Sequence, residues 1–175
     1  MLRLVTWLVL CASALGRPPS VDADGVAALD ALEAAYTLHF LNLIRWDRPA
    51  PLLSFCVLGD SNAGDRMRRT LSDKTVHGQR IDARRVGEAD LSHVSCDAIY
   101  IPASYADSAP TLLKLYEHTA TVTISDIPGF AHDGGVIGFV VLDDRLRFDI
   151  NESIASRKGL KISAKLLELA RRIVR

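Results

Sequence analysis

Leu53-Ser54-Phe55-Cys56-Val57-Leu58-Gly59-Asp60-Ser61-Asn62-Ala63-Gly64 is the stretch on which the fold turns. Its first half is a nearly continuous apolar run of strand length. Its second half consists of turn formers. A run of this kind predicts a strand followed by a tight turn. Cys96-Asp97-Ala98-Ile99-Tyr100-Ile101, about 40 residues later, is a second strand-like run, nearly all apolar and so read as central. A short amphipathic helix carrying Met67 and Leu71 lies between them, followed by a polar strand, Arg80 to Val86, suited to a sheet edge. Beyond the second run, Ala109 to His118 reads as a helix with Leu112, Leu113 and Tyr116 inward, and Ala120 to Ile124 as another strand. Strands alternating with helices predict an α/β domain with a largely parallel sheet and helices on both faces.

The pattern changes at both ends. Upstream, Val26, Leu29, Leu32, Tyr36, Phe40 and Leu43 recur at steps of three and four, which predicts a helix of about six turns with that stripe inward. Asp22 or Asp24 could cap it, and Pro49-Ala50-Pro51 ends it. Downstream, Val136 to Leu142 and Arg145 to Asn151 flank Asp143-Asp144 and predict an antiparallel hairpin. Leu146, Phe148 and Ile150 alternate there with Arg147 and Asp149, so the two sets face opposite sides. Ile162, Leu166, Leu169, Ala170 and Ile173 predict a final helix, with Arg171, Arg172 and Arg175 at its cation-favouring end.

Residues 1–23 have a different character. Met1-Leu2-Arg3 is a short positive start, Leu4 to Leu15 carries no charge, and Gly16-Arg17-Pro18-Pro19-Ser20 breaks any helix. This is the layout of a cleaved secretory signal, and its apolar part is too short for a membrane span. Cleavage after Ala14, Gly16 or Ala23 is compatible with the sequence. Ala23 is favoured because the first helix begins just beyond it. Leu10 before Cys11 argues against a lipoprotein signal, which needs a small residue there. The expected product is a single domain, residues 24–175, located in the periplasm. Cys56 and Cys96 are its two cysteines, and an even count in an exported chain points to a disulfide.

Lys and Arg number 21, as do Asp and Glu. Loss of residues 1–23 removes Arg3, Arg17 and Asp22 and leaves the charge close to zero, which gives no electrostatic case for nucleic acid. Gly59-Asp60-Ser61 after a strand matches the nucleophile block of Gly-Asp-Ser hydrolases, which also need a histidine and an acid. Asp90-Leu91-Ser92-His93 has the spacing of that pair but lies mid-chain, and the Gly-x-Asn-Asp block is missing. The balance favours no catalytic residues. His39, His77, His93, His118 and His132 show no metal-ligand spacing, and Gly134-Gly135 precedes a strand instead of opening a helix, so neither a metal nor a cofactor is expected. Trp46, at the end of the first helix, reads as a lid on the core.

Several segments, taken in order, resemble the YfiR family of periplasmic signalling repressors. They are Ala34-Ala35-Tyr36 with Phe40, Ile44 and Trp46; Phe55-Cys56-Val57-Leu58-Gly59-Asp60 with Gly64; and Cys96-Asp97-Ala98-Ile99-Tyr100-Ile101. Thr121-Val122-Thr123-Ile124-Ser125-Asp126, Phe130, Gly134-Gly135 and Phe148-Asp149-Ile150-Asn151 follow. Leu160-Lys161-Ile162-Ser163 and Leu166-Leu167-Glu168-Leu169-Ala170 close the series. The resemblance implies a single compact Rossmann-like domain. It also implies a regulator that binds the periplasmic sensor region of an inner-membrane diguanylate cyclase and represses cyclic-di-GMP synthesis until envelope or redox stress releases it. Some members work instead with histidine kinases. An outer-membrane lipoprotein and a second copy of the chain are further expected partners. Some members carry a second disulfide near the Phe and Gly-Gly motifs, where this chain has Ala131 and Gly138. Phe130, Ile137, Phe139, Asp149 and Asn151 are the candidate partner-binding residues, with Asp149 expected to face outward opposite Phe148 and Ile150. A small-molecule sensor with a pocket near Gly59 to Gly64 is the second function class considered.

Overall fold

The computed structural model describes residues 23–47 and 51–175, so the proposed signal lies outside the described residues except for Ala23. Helix α1 (Ala23–Leu43) leads into the two-residue strand β1 (Ile44–Arg45). Strand β2 (Leu52–Leu58), helix α2 (Asn62–Leu71), β3 (Thr75–Val76) and β4 (Gln79–Val86) follow. Then come β5 (Ala98–Ile101), α3 (Ala109–Leu115), β6 (Val122–Ser125) and the hairpin β7 (Ile137–Leu142) with β8 (Arg145–Asn151). The chain closes with α4 (Glu152–Arg157), β9 (Lys161–Ile162), α5 (Ala164–Leu169) and β10 (Arg172–Val174).

Eight strands form one sheet in the order β10-β8-β7-β6-β5-β2-β4-β3. The run β4, β2, β5, β6, β7 is parallel, and β8 is antiparallel to β7. The two apolar runs that fix the reading are the neighbours β2 and β5 at the centre. From there the chain steps outward in both directions, to β4 through α2 and to β6 through α3. Right-handed crossovers leaving in opposite directions must lay their helices on opposite faces. Met67 and Leu71 of α2 accordingly share a core with Phe55, Val57 and Tyr100. Leu112 and Tyr116, from α3 and its end, pack with Cys56, Leu58, Ile99 and Ile101 on the other face.

Three expectations change. The buried face of α1 consists of Asp30, Glu33, Ala34, Thr37, Phe40 and Leu41, while Val26 and Leu32 are exposed. The helix is rotated relative to its apolar stripe because its inward face carries polar groups. The final apolar periodicity is not one helix: Ile162 belongs to β9, α5 covers six residues, and Ile173 lies in β10, parallel to β8. Ser163 caps α5 through its hydroxyl, which accepts the Leu166 N–H. Arg171, Arg172 and Arg175 therefore do not sit on a helix end, and Arg175 pairs with Glu152. The polar strand β4 is the penultimate strand, because β3 folds back on it through a tight turn with positive φ at His77 and Gly78.

Candidate partner-binding surface

The hairpin β7–β8 is closed by Asp143 and Asp144, both at positive φ, as a two-residue turn that follows the twist of its strands requires. Its ladder runs from Ile137↔Ile150 to Leu142↔Arg145, whereas β6 reaches only Ile137 and Gly138. The outer half of the hairpin thus projects beyond the rest of the sheet, and Val141 and Leu142 are 56% and 49% exposed there. Against β8 in this outer half lies a small groove of about 100 Å³, lined by Tyr36, His39, Leu146, Arg147 and Leu169 among others.

All five candidate contact residues are buried, and none forms part of this surface. Phe139 belongs to an aromatic cluster with Phe40, Phe148 and Tyr36; the Phe40 and Phe148 centroids are 4.7 Å apart and those of Phe40 and Phe139 5.7 Å. Ile137 is enclosed in the same core. The Phe130 ring packs closely against Gly135, where any Cβ would overlap it at 2.1 Å. Asn151 caps α4, its Oδ1 accepting the Ile154 N–H at 2.8 Å while its Nδ2 donates to Ala131 O at 2.7 Å.

Asp149 does face away from Phe148 and Ile150, but that side is also covered. Arg171 Nε donates to its Oδ1 at 2.9 Å, a second guanidinium N–H reaches Oδ2, and His132 Nε2 lies 3.7 Å from Oδ2. His132 of the 127–135 segment and Arg171, just before β10, cover this side. Alternation along β8 assigns the face correctly and says nothing of what packs on it.

Cys56 of β2 and Cys96, just before β5, form a disulfide with a Cα–Cα distance of 5.9 Å. Ser61 is the N-cap of α2, its hydroxyl accepting the Gly64 N–H at 3.0 Å, so the Gly-Asp-Ser motif serves as a helix start. Trp46 is half-buried, and its indole N–H is shared between Asp97 O at 3.2 Å and Ala120 O at 3.0 Å. It thereby ties the end of α1 to the starts of β5 and β6.

A buried polar cluster beneath α1 gave no signal in the sequence. The Tyr100 hydroxyl donates to Glu33 Oε2 at 3.3 Å. Burial, reinforced by the nearby charge of Asp126, pushes the Glu33 carboxyl up to about 8. Burial also raises Asp126 and Asp30, the latter opposed by Arg66 on α2, whose Nε is 4.0 Å away. Apolar periodicity is blind to such a group, since a neutral carboxyl packs inward yet reads as surface in the sequence. Among the described residues, no group of three His, Cys, Asp or Glu side chains is placed to hold a metal ion, and no helix is long and apolar enough to cross a membrane.

A mostly parallel sheet, helices on both faces, a projecting antiparallel hairpin and a disulfide linking β2 to the residue just before β5 define a single α/β domain. The chain belongs to the YfiR/HmsC-like family, which it matches over residues 30–171. That family comprises periplasmic regulatory proteins that act with membrane signalling proteins. Two solved structures share the fold. A conserved domain protein from Vibrio cholerae superposes with a TM-score of 0.58 at 11% identity, over 81% of this chain and 60% of that one. An ABC domain from Streptococcus pneumonia, solved in complex with L-Trp, gives 0.54 at 15% identity, over 70% of this chain and 55% of that one. The chain thus spans little more than half the length of either, and at such identities the likeness is one of fold.

Proposed function

We propose that this protein is a periplasmic repressor that binds the periplasmic sensor region of an inner-membrane diguanylate cyclase and holds down cyclic-di-GMP synthesis until envelope or redox stress releases it. Family membership over residues 30–171 carries this reading. A disulfide between the central strands supports it, because such bonds persist in oxidising compartments. On this reading residues 1–23 are a signal removed on export. Repression needs only that the protein bind the inactive state of the cyclase more tightly than the active one.

The projecting end of the hairpin, with Val141 and Leu142, is the contact we assign, with the groove under Leu169 beside it. The exposed apolar pair is bordered by both signs of charge, Asp143 and Asp144 in the turn against Arg145 and Arg147 on β8, and an apolar patch within a polar rim suits a protein interface. Phe130, Ile137, Phe139, Asp149 and Asn151 act beneath it, holding the hairpin in place.

Deleting the gene should raise cellular cyclic-di-GMP, and the tagged protein should co-purify with a membrane protein bearing a GGDEF domain. Unchanged cyclic-di-GMP together with capture of a histidine kinase would reject the cyclase as partner.

A further inference from the structure

We propose that the cleft between α3 and α4, on the disulfide face of the sheet, binds a small amphipathic monoanion such as an aryl or alkyl carboxylate or sulfonate. The cleft holds about 360 Å³, towards the lower end of the roughly 300–1,000 Å³ typical of small-molecule sites. Its lining residues are distinct from Val141, Leu142 and the groove residues of the hairpin surface assigned above.

Its walls are apolar and already shaped. Pro110 and Leu113 come from α3 and Ile154 from α4, while Gly134 contributes backbone only. Leu113 and Ile154 are half-buried, so each keeps apolar surface for a guest. An apolar body of one or two rings entering here would displace water from that surface.

The rim sets the charge of the guest. Lys158, Lys114 and Arg157 stand against Glu117 and Asp133. The Lys158 ammonium is already committed: it donates to Tyr116 O and, at 3.4 Å, to Thr119 O, and Glu117 is the carboxylate acting on its charge. That leaves Lys114 and Arg157 against Asp133, an excess of one positive charge. Among the described residues neither Lys114 nor Arg157 is paired with a carboxylate, and the one side-chain bond of Arg157, to Ser153 Oγ at 2.9 Å, leaves most of its guanidinium fork open. A guanidinium with free N–H groups beside an apolar wall suits a bidentate oxyanion attached to an apolar body. A dianion would overshoot the single excess charge.

Fluorescence titration of the oxidised protein tests this, with anilinonaphthalene sulfonate as the anionic probe and N-phenylnaphthylamine as its uncharged counterpart. The sulfonate should bind saturably, with one site. Lys114→Glu combined with Arg157→Glu should weaken it by roughly tenfold or more, while leaving the neutral dye within about twofold. Both side chains are exposed, so the unfolding temperature should hold; Arg157→Gln alone serves as a milder second variant. Absence of saturable sulfonate binding to the native protein overturns the proposal. So does sulfonate binding that the substitutions leave unchanged, or an equal loss for both dyes.

Discussion

Arg171 grips both carboxylate oxygens of Asp149, fastening the chain just before β10 to the middle of β8. Asp149 is 3% exposed, whereas Arg171 keeps part of its guanidinium in solvent. Removing either partner is therefore not equivalent. Asp149→Ala should leave a guanidinium that can turn to water and should destabilise the domain by about 2–3 kcal/mol in urea unfolding. Arg171→Ala strands a carboxylate under its roof and should cost as much or more. Asp149→Lys should not fold, so lost partner binding in that variant reports folding and not contact. If Asp149→Ala unfolds with the native midpoint, the pair does not hold the hairpin.

Glu33 makes stability depend on pH in a stated direction. Its folded value of about 8 lies above the ordinary carboxylate value of about 4.5. The folded protein therefore binds this proton more tightly than the unfolded chain does. The resulting stabilisation is complete below the unfolded value and is lost progressively as pH rises through the folded one. Asp126 and Asp30, also raised, add to the slope with the same sign. Urea midpoints should fall between about pH 4.5 and 8, and Glu33→Gln should flatten the fall and raise stability at pH 8 by about 1–3 kcal/mol. A native profile that is flat over that range, or one that Glu33→Gln does not alter, would show that Glu33 is ionised in the fold.

The Cys56–Cys96 bond closes a loop with a sequence separation of 40. In the chain-entropy account such a bond stabilises by about 4 kcal/mol. Reduction, or Ser at both positions, should lower the urea midpoint correspondingly, since β2 and β5 would then be held only by their ladder hydrogen bonds and packing. Equal midpoints with and without reductant would exclude a structural role for the bond.

A second bridge can be added where relatives are expected to have one. A Cβ built on Gly138 would lie 3.7 Å from Ala131 Cβ, within the range that a disulfide spans. Ala131→Cys with Gly138→Cys should therefore cross-link under air, seen as the loss of two free thiols by mass spectrometry after alkylation. The nearby Ala131 N, at 3.1 Å, and Phe130 Cβ, at 3.3 Å, must shift slightly, so the gain should stay at or below about 2 kcal/mol. Persistent free thiols in the double variant would mean that the 131 segment does not rest on β7 as described.

Which of these groups could be read from the sequence follows from the distance over which each is determined. The β2 and β5 runs, the hairpin and its Asp143-Asp144 turn are local patterns, and Arg145–Asn151 emerges with the expected bounds. The inward face of α1 is not local. Glu33 lies inside beneath β5, where Tyr100, 67 residues away, donates its hydroxyl to it. The end of the chain misleads for a related reason. Ile162 and Ile173 extend a helical period, yet each is claimed by a strand partner, Ile44 and Ile150 respectively. Phe130, Phe139 and Asp149 read as contact residues because the sequence does not show what covers each of them: Phe40 of α1 packs on Phe139, the Phe130 ring is folded against Gly135, and Arg171 and His132 close over Asp149.

Val141 and Leu142 supply the test that separates contact from scaffold. Both are exposed, on opposite faces of a strand that β6 no longer accompanies, so neither contributes much to the core. Val141→Glu and Leu142→Glu should leave the unfolding midpoint within about 0.5 kcal/mol. If the projecting hairpin is the docking edge, each should weaken capture of the membrane partner by about tenfold or more, because a carboxylate would be buried against an apolar counterpart without compensation. Together they should raise cyclic-di-GMP towards the level of the deletion strain, with the protein still abundant and oxidised. The opposite pattern, full repression with both glutamates in place, would move the contact off the hairpin and leave the groove between α1, β8 and α5 as the surface to mutate next, through Leu169→Glu.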